Sequence, residues 1–427
     1  MDLIIYTLKS VSSAIVEPSH FLMLIILGLI FYFKNIKIVA IQKMTIGEKL
    51  NSPIELTFSQ LVLGILAGAV GSLILTILGV TFNENSGIEF IFIISILLIY
   101  FNKKYICFSY SGAVIGLLSI IVRVISSFFG ENYVLGGNLD INIVSLLTLI
   151  WVLHLVEGIL VMIDGNRGAI PVFTKRKGQI VGGFSLNRYW AVPIALFMIF
   201  TTTGTDSSAV SINAPNWWPV IDRTETLSLL SLATVAFQSF YGMIGYNSVT
   251  FTKEKKEKAI SSGVSILIYG LSLIIVAQIA NIKIIGEIIA VIYMPLAHEF
   301  MLRYEKSKEE KRNYLYVSDD EGITVLEVAP NSPAFQCGIR RGDKILEING
   351  QSIDSERDIF KVIRSAIFKI PIKVKTTSGK ILNYDIQAKD KRIGVLLVPK
   401  MVKISDIVGV EGDDFKKILD DLRNKNR

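Results

Sequence analysis

The sequence predicts an α-helical polytopic membrane domain of eight or nine transmembrane helices followed by a small soluble α+β domain. Three observations predict it. Hydrophobic residues make up 51% of the chain and charged residues only 19%, whereas soluble domains carry charge at about a quarter of positions. The two kinds of residue are segregated, with long apolar runs across residues 1–302 and dense Lys, Glu, Asp and Arg from 303 onward. Finally, the basic residues of the first part collect in alternate short loops. The boundaries read as a membrane domain at 1–302, a charged linker at 303–313, a soluble domain at 314–400 and a charged tail at 401–427. In that tail Phe415, Ile418, Leu419 and Leu422 lie at helical spacing and predict a short amphipathic helix.

A membrane helix needs about 20 mainly apolar residues. Candidates fall at 17–33, 57–82, 87–101, 105–129, 141–163, 187–204, 226–249, 259–280 and 282–302. The third is short and carries Glu89. The last holds Lys283, Glu287, Pro295, His298 and Glu299, which leaves a re-entrant segment open. Met1–Ile15 has no basic start and no small-residue cleavage site follows the first long run, so no cleavable signal is expected.

The loops set the orientation. Lys34, Lys37, Lys43 and Lys49, then Lys103 and Lys104, then Arg167, Lys175, Arg176, Lys177 and Arg188, then Lys253, Lys255, Lys256 and Lys258 all fall on the side of the soluble domain. The intervening loops hold almost no basic residues, Arg223 being the exception at 204–226. This is the positive-inside pattern. It predicts a multi-pass cell-membrane protein with its C-terminal domain in the cytoplasm, and it assigns the net charge of +7 to the lipid bilayer rather than to nucleic acid. Asn216, Trp217, Trp218 and Pro219 precede a candidate span and read as an interfacial aromatic belt. The two cysteines, Cys107 and Cys337, form no disulfide framework or metal clip and suit a reducing compartment.

Charges inside a membrane are expensive, so each is a functional candidate. In the fifth span His154, Glu157 and Asp164 fall within about 80° of one helical face. Such a face could hold a metal, relay protons or bond to neighbouring helices; the structural reading, polar side chains tying helices together, is preferred. Arg123 in the fourth span is expected to snorkel toward the outer surface rather than to pair with Glu157. Catalytic signatures are missing. His298-Glu299 would need a second histidine where Leu302 stands, and no HExxH, GxSxG, Walker A or GxGxxG occurs. No cofactor and no catalytic residue are therefore assigned.

The soluble domain is rich in short local signals. Residues 322–328 (GITVLEV) read as a strand. Ser332 is placed to cap a short helix with Pro333 at its first position, and Gly338 to close it. Asn349-Gly350 suits a tight hairpin turn. A helix over 355–367 follows, with Ile359, Phe360, Val362 and Ile363 apolar, then strands at 372–375 and 381–386 joined at Ser378-Gly379, then a last strand at 392–399, RIGVLLVP. This series looks like the signature of bacterial PDZ domains, which bind C-terminal peptides by adding them as a strand. Ile393-Gly394-Val395-Leu396 resembles the carboxylate-binding loop in circularly permuted order, and these four residues with Val362 are the candidate peptide site; Tyr314–Val317 is a rival for the loop.

The whole layout resembles the MinJ-like cell-division topology proteins of low-GC Gram-positive bacteria. The likeness rests on the order of the two parts, on the stretch 154–193 with its GNRGAIPVF and IVGGF runs, and on the closing RIGVLLVP. It implies an adaptor rather than a catalyst, one that links DivIVA-like and MinD-like proteins and gathers at septa and poles. The alternative reading is a membrane enzyme, protease-like, or a transporter with a regulatory PDZ domain.

Overall fold

The computed structural model describes residues 2–129, 139–176, 178–200, 218–220, 234–353 and 355–400. They form two compact units. One comprises the chain to Met44, Lys49–Ile170 and Phe184–Asn313; the other comprises Thr45–Glu48, Pro171–Gly183 and the chain from Tyr314. The amphipathic tail helix expected after residue 400, and Asn216 and Trp217, lie outside the described residues.

The first unit contains helices α1 (Asp2–Val16), α2 (Pro18–Ile46), α3 (Pro53–Leu78), α4 (Phe90–Leu98), α5 (Phe108–Phe129), α6 (Ile143–Asp164), α7 (Lys255–Ala280) and α8 (Lys283–Lys311). Strands β1 (Thr81–Asn83), β2 (Ile170–Arg176), β3 (Gln179–Phe200) and β4 (Thr234–Thr250) interleave with them, β2 and the start of β3 belonging to the second unit. Among the described residues, six helices (α2, α3, α5, α6, α7 and α8) are long and apolar enough to cross a membrane, against the eight or nine expected. α6 is the central helix, packed against α7, α3 and α5.

The difference in number has identifiable causes. The segment at 87–101 forms only α4, nine residues long and too short to span. The segment at 282–302 is kept, as the last of the six: one continuous helix, with Pro295 inside it, that runs on to Lys311 through most of the presumed linker. The described parts of 187–204 and 226–249 are not helices at all. They are β3 and β4, paired antiparallel from Phe184↔Thr250 to Phe200↔Thr234. Hydropathy measures burial, and a strand covered on both faces is as continuously apolar as a buried helix. Residues 189–199 of β3 are buried without a break.

How the hairpin's edge is satisfied follows from α3. Ser72 Oγ accepts the Ala195 amide at 2.9 Å. The groups of Ala191, Pro193 and Ala195 therefore point away from β4, since alternate residues of a strand face alternate edges. Against that edge α3 presents Gly64, Gly68 and Ser72 at four-residue spacing. A Cβ at Gly64 would lie 2.1 Å from the Ala191 carbonyl oxygen and one at Gly68 2.0 Å from that of Pro193. Only bare glycine backbone allows this approach, and it lets Pro193 sit where no ladder amide is needed. Farther along, Phe197–Ile199 pair with β1 in parallel. The edge is thus covered by protein along this stretch, the condition for a strand in an apolar medium.

Trp218 is buried, donates its indole N–H to the Thr76 carbonyl at 2.7 Å and packs edge-on against Phe197. It is a core anchor rather than part of an interfacial belt. Arg123 does not simply snorkel either: its guanidinium pairs with Glu287 on α8 through both Nη1, at 3.2 Å, and Nη2.

The second unit is built on one sheet of order β10-β9-β7-β6-β11, with β8 paired to β7. Its elements are β5 (Tyr316–Val317), β6 (Ile323–Val328), α9 (Pro333–Cys337), β7 (Lys344–Ile348), β8 (Gln351–Ser352), α10 (Glu356–Ser365), β9 (Ile370–Lys375), β10 (Ile381–Ile386) and β11 (Val395–Leu397). The local signals appear where the sequence placed them. Ser332 caps α9 by accepting the Phe335 amide, Gly338 closes it in the left-handed region, and Asn349 and Gly350 both turn with positive φ. Isoleucines and valines of all the main strands, with Ile359 and Ile363 of α10, fill a single core.

Candidate functional site

Two places carry the residues singled out by the sequence. The first is the outer strand of the second unit. β11 pairs with β6 on one side, Val395↔Val328 and Leu396↔Glu327, and ends the described sheet on the other. Ile393, Val395 and Leu397 point into the core, which Val362 of α10 also touches, and Leu396 is half-buried. Gly394 has φ +76°, and its Cβ would meet that of Ser332 at 2.3 Å, so only glycine fits. The bend aims two carbonyls inward. Gly394 accepts the Ala329 amide at 2.8 Å and Ile393 accepts the Ala334 amide, in the first turn of α9, at 3.0 Å. The result is a tight loop running into an edge strand, with a helix in the same core.

The rival loop has a different fate. β5 pairs with the start of β3, Val181↔Val317 and Gly182↔Tyr316. The IVGGF run of the central loop therefore supplies a strand to the soluble domain's own first strand. Sequence reasoning missed this pairing. A β-branched pair followed by two glycines was its only signal.

The second place lies inside the helical unit. His154 and Glu157 come together, His154 Nε2 standing 3.9 Å from the Glu157 carboxylate. Asp164 does not join them. Its carboxylate instead receives Arg188 Nε at 2.9 Å, Arg188 Nη2, and the Trp190 indole N–H at 2.9 Å. Arg188 also reaches Ser59 Oγ at 2.6 Å. Both charges of this node are fully buried, and it ties α3, α6 and β3 together. Arg188, counted above among the cytoplasmic loop charges, is thus an interior residue. Around His154 the structure gathers groups that the sequence had not connected: Cys107 Sγ at 3.0 Å from Nε2, Ser109 Oγ at 3.2 Å, and the rings of Tyr269 and His298.

A bundle of long apolar helices joined to a peptide-binding type of sheet defines the class, a membrane protein with a PDZ domain. Residues 324–375 match the PDZ domain family. Over 229 residues the chain is 20% identical to the cell division topological determinant MinJ of Bacillus subtilis, covering 52% of this chain and 53% of that one. Over 192 residues it is 22% identical to a probable MinJ of Lacticaseibacillus paracasei, covering 41% and 50%. It is also 31% identical to the serine endoprotease DegS of Haemophilus influenzae over 126 residues, 27% of this chain and 36% of that one. The chain spans about half the length of the MinJ proteins it matches, and less of the protease. It is a MinJ-like protein with a PDZ domain.

Proposed function

We propose that this protein is a membrane-anchored scaffold of the division or polarity machinery, holding cytoplasmic partners through its PDZ domain. The observation that carries this reading is the extent of the likeness. The 229-residue match to MinJ is longer than everything from Leu315 to the end of the chain, so it takes in sequence before the PDZ domain. The protease match is little longer than that C-terminal region and carries no more than the peptide-binding module requires.

In this reading a partner's C-terminal segment adds to the outer edge of β11, its carboxylate at the loop Ile393-Gly394 and its last side chain toward Val362. In this reading the PDZ domain faces the cytoplasm, on the same side as the lysines at 253–258 because α7 and α8 cross and return, and the partners are DivIVA-like and MinD-like proteins at septa and poles. No catalytic step is assigned. The test replaces Val362, half-buried on α10, with Gln in the chromosomal copy and measures cell length and septum position. Long cells with displaced septa, matching a strain without residues 314–400, are expected. Normal division in both strains would overturn the proposal.

A further inference from the structure

The geometry points to a transition-metal site inside the helical unit, formed by Cys107, His154 and His298 with the Glu157 carboxylate close by, and suited to zinc. It is independent of the PDZ reading. Cys107 stands just before α5, His154 and Glu157 lie on α6 one turn apart, and His298 lies on α8. Ligand atoms of the first three all lie within 4.8 Å of one another. At zinc bond lengths of 2.0–2.3 Å, neighbouring donors of a tetrahedron are roughly 3.5 Å apart. The Cys107–His154 separation of 3.0 Å and the 4.8 Å limit for the three donors bracket that value, and the Glu157 carboxylate, 3.9 Å from His154 Nε2, stands outside this trio as the group that would turn toward a bound ion.

The histidines are held as ligands are held. His154 Nδ1 lies 2.7 Å from the Ile150 carbonyl, which can only accept, so Nδ1 carries the proton and Nε2 turns its lone pair to the cluster. His298 Nδ1 is engaged by Tyr110 Oη at 3.1 Å, leaving Nε2 for a metal. Glu157 supplies a second, independent sign. Its side chain is only 15% exposed, and no hydrogen bond among the described residues reaches its carboxylate. A carboxylate so placed calls for a cation or a proton. Binding proceeds as Cys–SH + M²⁺ → Cys–S–M⁺ + H⁺, the proton leaving to solvent. Thiolate and carboxylate together then cancel the charge of the ion, so the loaded site is neutral, as an apolar interior demands. Thiolate and imidazole donors select zinc-like ions over magnesium or calcium.

The experiment is a cobalt(II) titration of the full-length protein, stripped with chelator and held in detergent micelles. One equivalent of Co²⁺ is expected, with visible bands of a tetrahedral ion and a near-ultraviolet thiolate-to-cobalt band, all displaced by Zn²⁺. The chain has two cysteines, so Cys337→Ser leaves Cys107 alone and should keep the full spectrum. Cys107→Ser should lose the thiolate band, and His298→Gln should weaken binding more than tenfold. Absence of saturable Co²⁺ binding by the wild type, or loss of the thiolate band in Cys337→Ser, overturns the site. The Cys337→Ser arm decides the matter even if substitutions within the cluster unfold the bundle.

Discussion

The contact between α3 and β3 makes a sharp prediction, because it exists only if residues 184–200 form a strand. Replacing Gly64 or Gly68 with Ala would set a methyl 2.1 Å from the Ala191 oxygen or 2.0 Å from the Pro193 oxygen. Ordinary contact begins near 3.5 Å, so α3 must retreat by roughly 1 Å or more. Overpacking of this kind costs about 1–3 kcal/mol per site. A retreat also breaks the Ser72–Ala195 hydrogen bond, a further ~1 kcal/mol. The double variant should lose on the order of 3–6 kcal/mol, allowing for coupling between adjacent sites. Gly71→Ala on the same helix is the control. Its methyl would meet Val156 at an ordinary 3.4 Å, and Ala should gain up to about 1 kcal/mol in helix propensity. The assay is denaturant unfolding of the purified protein in mixed micelles, followed by fluorescence of the indoles, including Trp190, fully buried in β3. If Gly64→Ala and Gly68→Ala behave like Gly71→Ala, the strand does not abut α3 and the hairpin assignment falls.

Three further outcomes are expected. Asp164→Ala strands the buried Arg188 guanidinium and should destabilise the protein by about 3–5 kcal/mol, read in the same unfolding assay, while Glu55→Ala on an exposed pair with Arg167 should change little. Gly394→Ala should destabilise the PDZ domain by roughly 1–3 kcal/mol, because positive φ and the Ser332 contact both oppose a side chain; a melting temperature equal to wild type would refute the loop geometry. The hydrogen bond from Lys375, at 2.8 Å, holds the Glu321 carboxyl below its ordinary range. A depressed acid contributes stability above its unfolded pKa and loses it as pH falls through the folded value. Glu321→Gln should therefore lag wild type at neutral pH and converge with it in acid. The NMR titration midpoint of Glu321 should rise in Lys375→Ala, and an unmoved midpoint would contradict the pairing.

The PDZ domain was legible because its signals are local. A cap at Ser332, a left-handed stop at Gly338 and a turn at Asn349-Gly350 each act within a few residues. The hairpin was not legible, since burial on both faces erases the alternation that marks a strand; Pro193, poorly tolerated in a helix interior, was the available clue. On α6 the angular reading grouped His154, Glu157 and Asp164, and angle alone misleads. Ten residues of helix separate His154 from Asp164 by about 15 Å along the axis, so one residue joins Cys107 and His298 and the other joins Arg188. Cys107, a single cysteine at the edge of an apolar run, acquires meaning only from partners 47 and 191 positions away that sequence spacing cannot bring together. The strand pairing of Val181 and Gly182 with Tyr316 and Val317 is equally remote in the chain.

In the proposed function the helical unit and the PDZ domain act together as a division scaffold. Its most direct test is the position of a fluorescent fusion of the full chain in dividing cells, compared with the same fusion lacking residues 314–400. Enrichment at septa and poles is expected for the full chain, reduced or redistributed in the truncated one. Uniform membrane fluorescence from the full chain, with normal division in its absence, would contradict it.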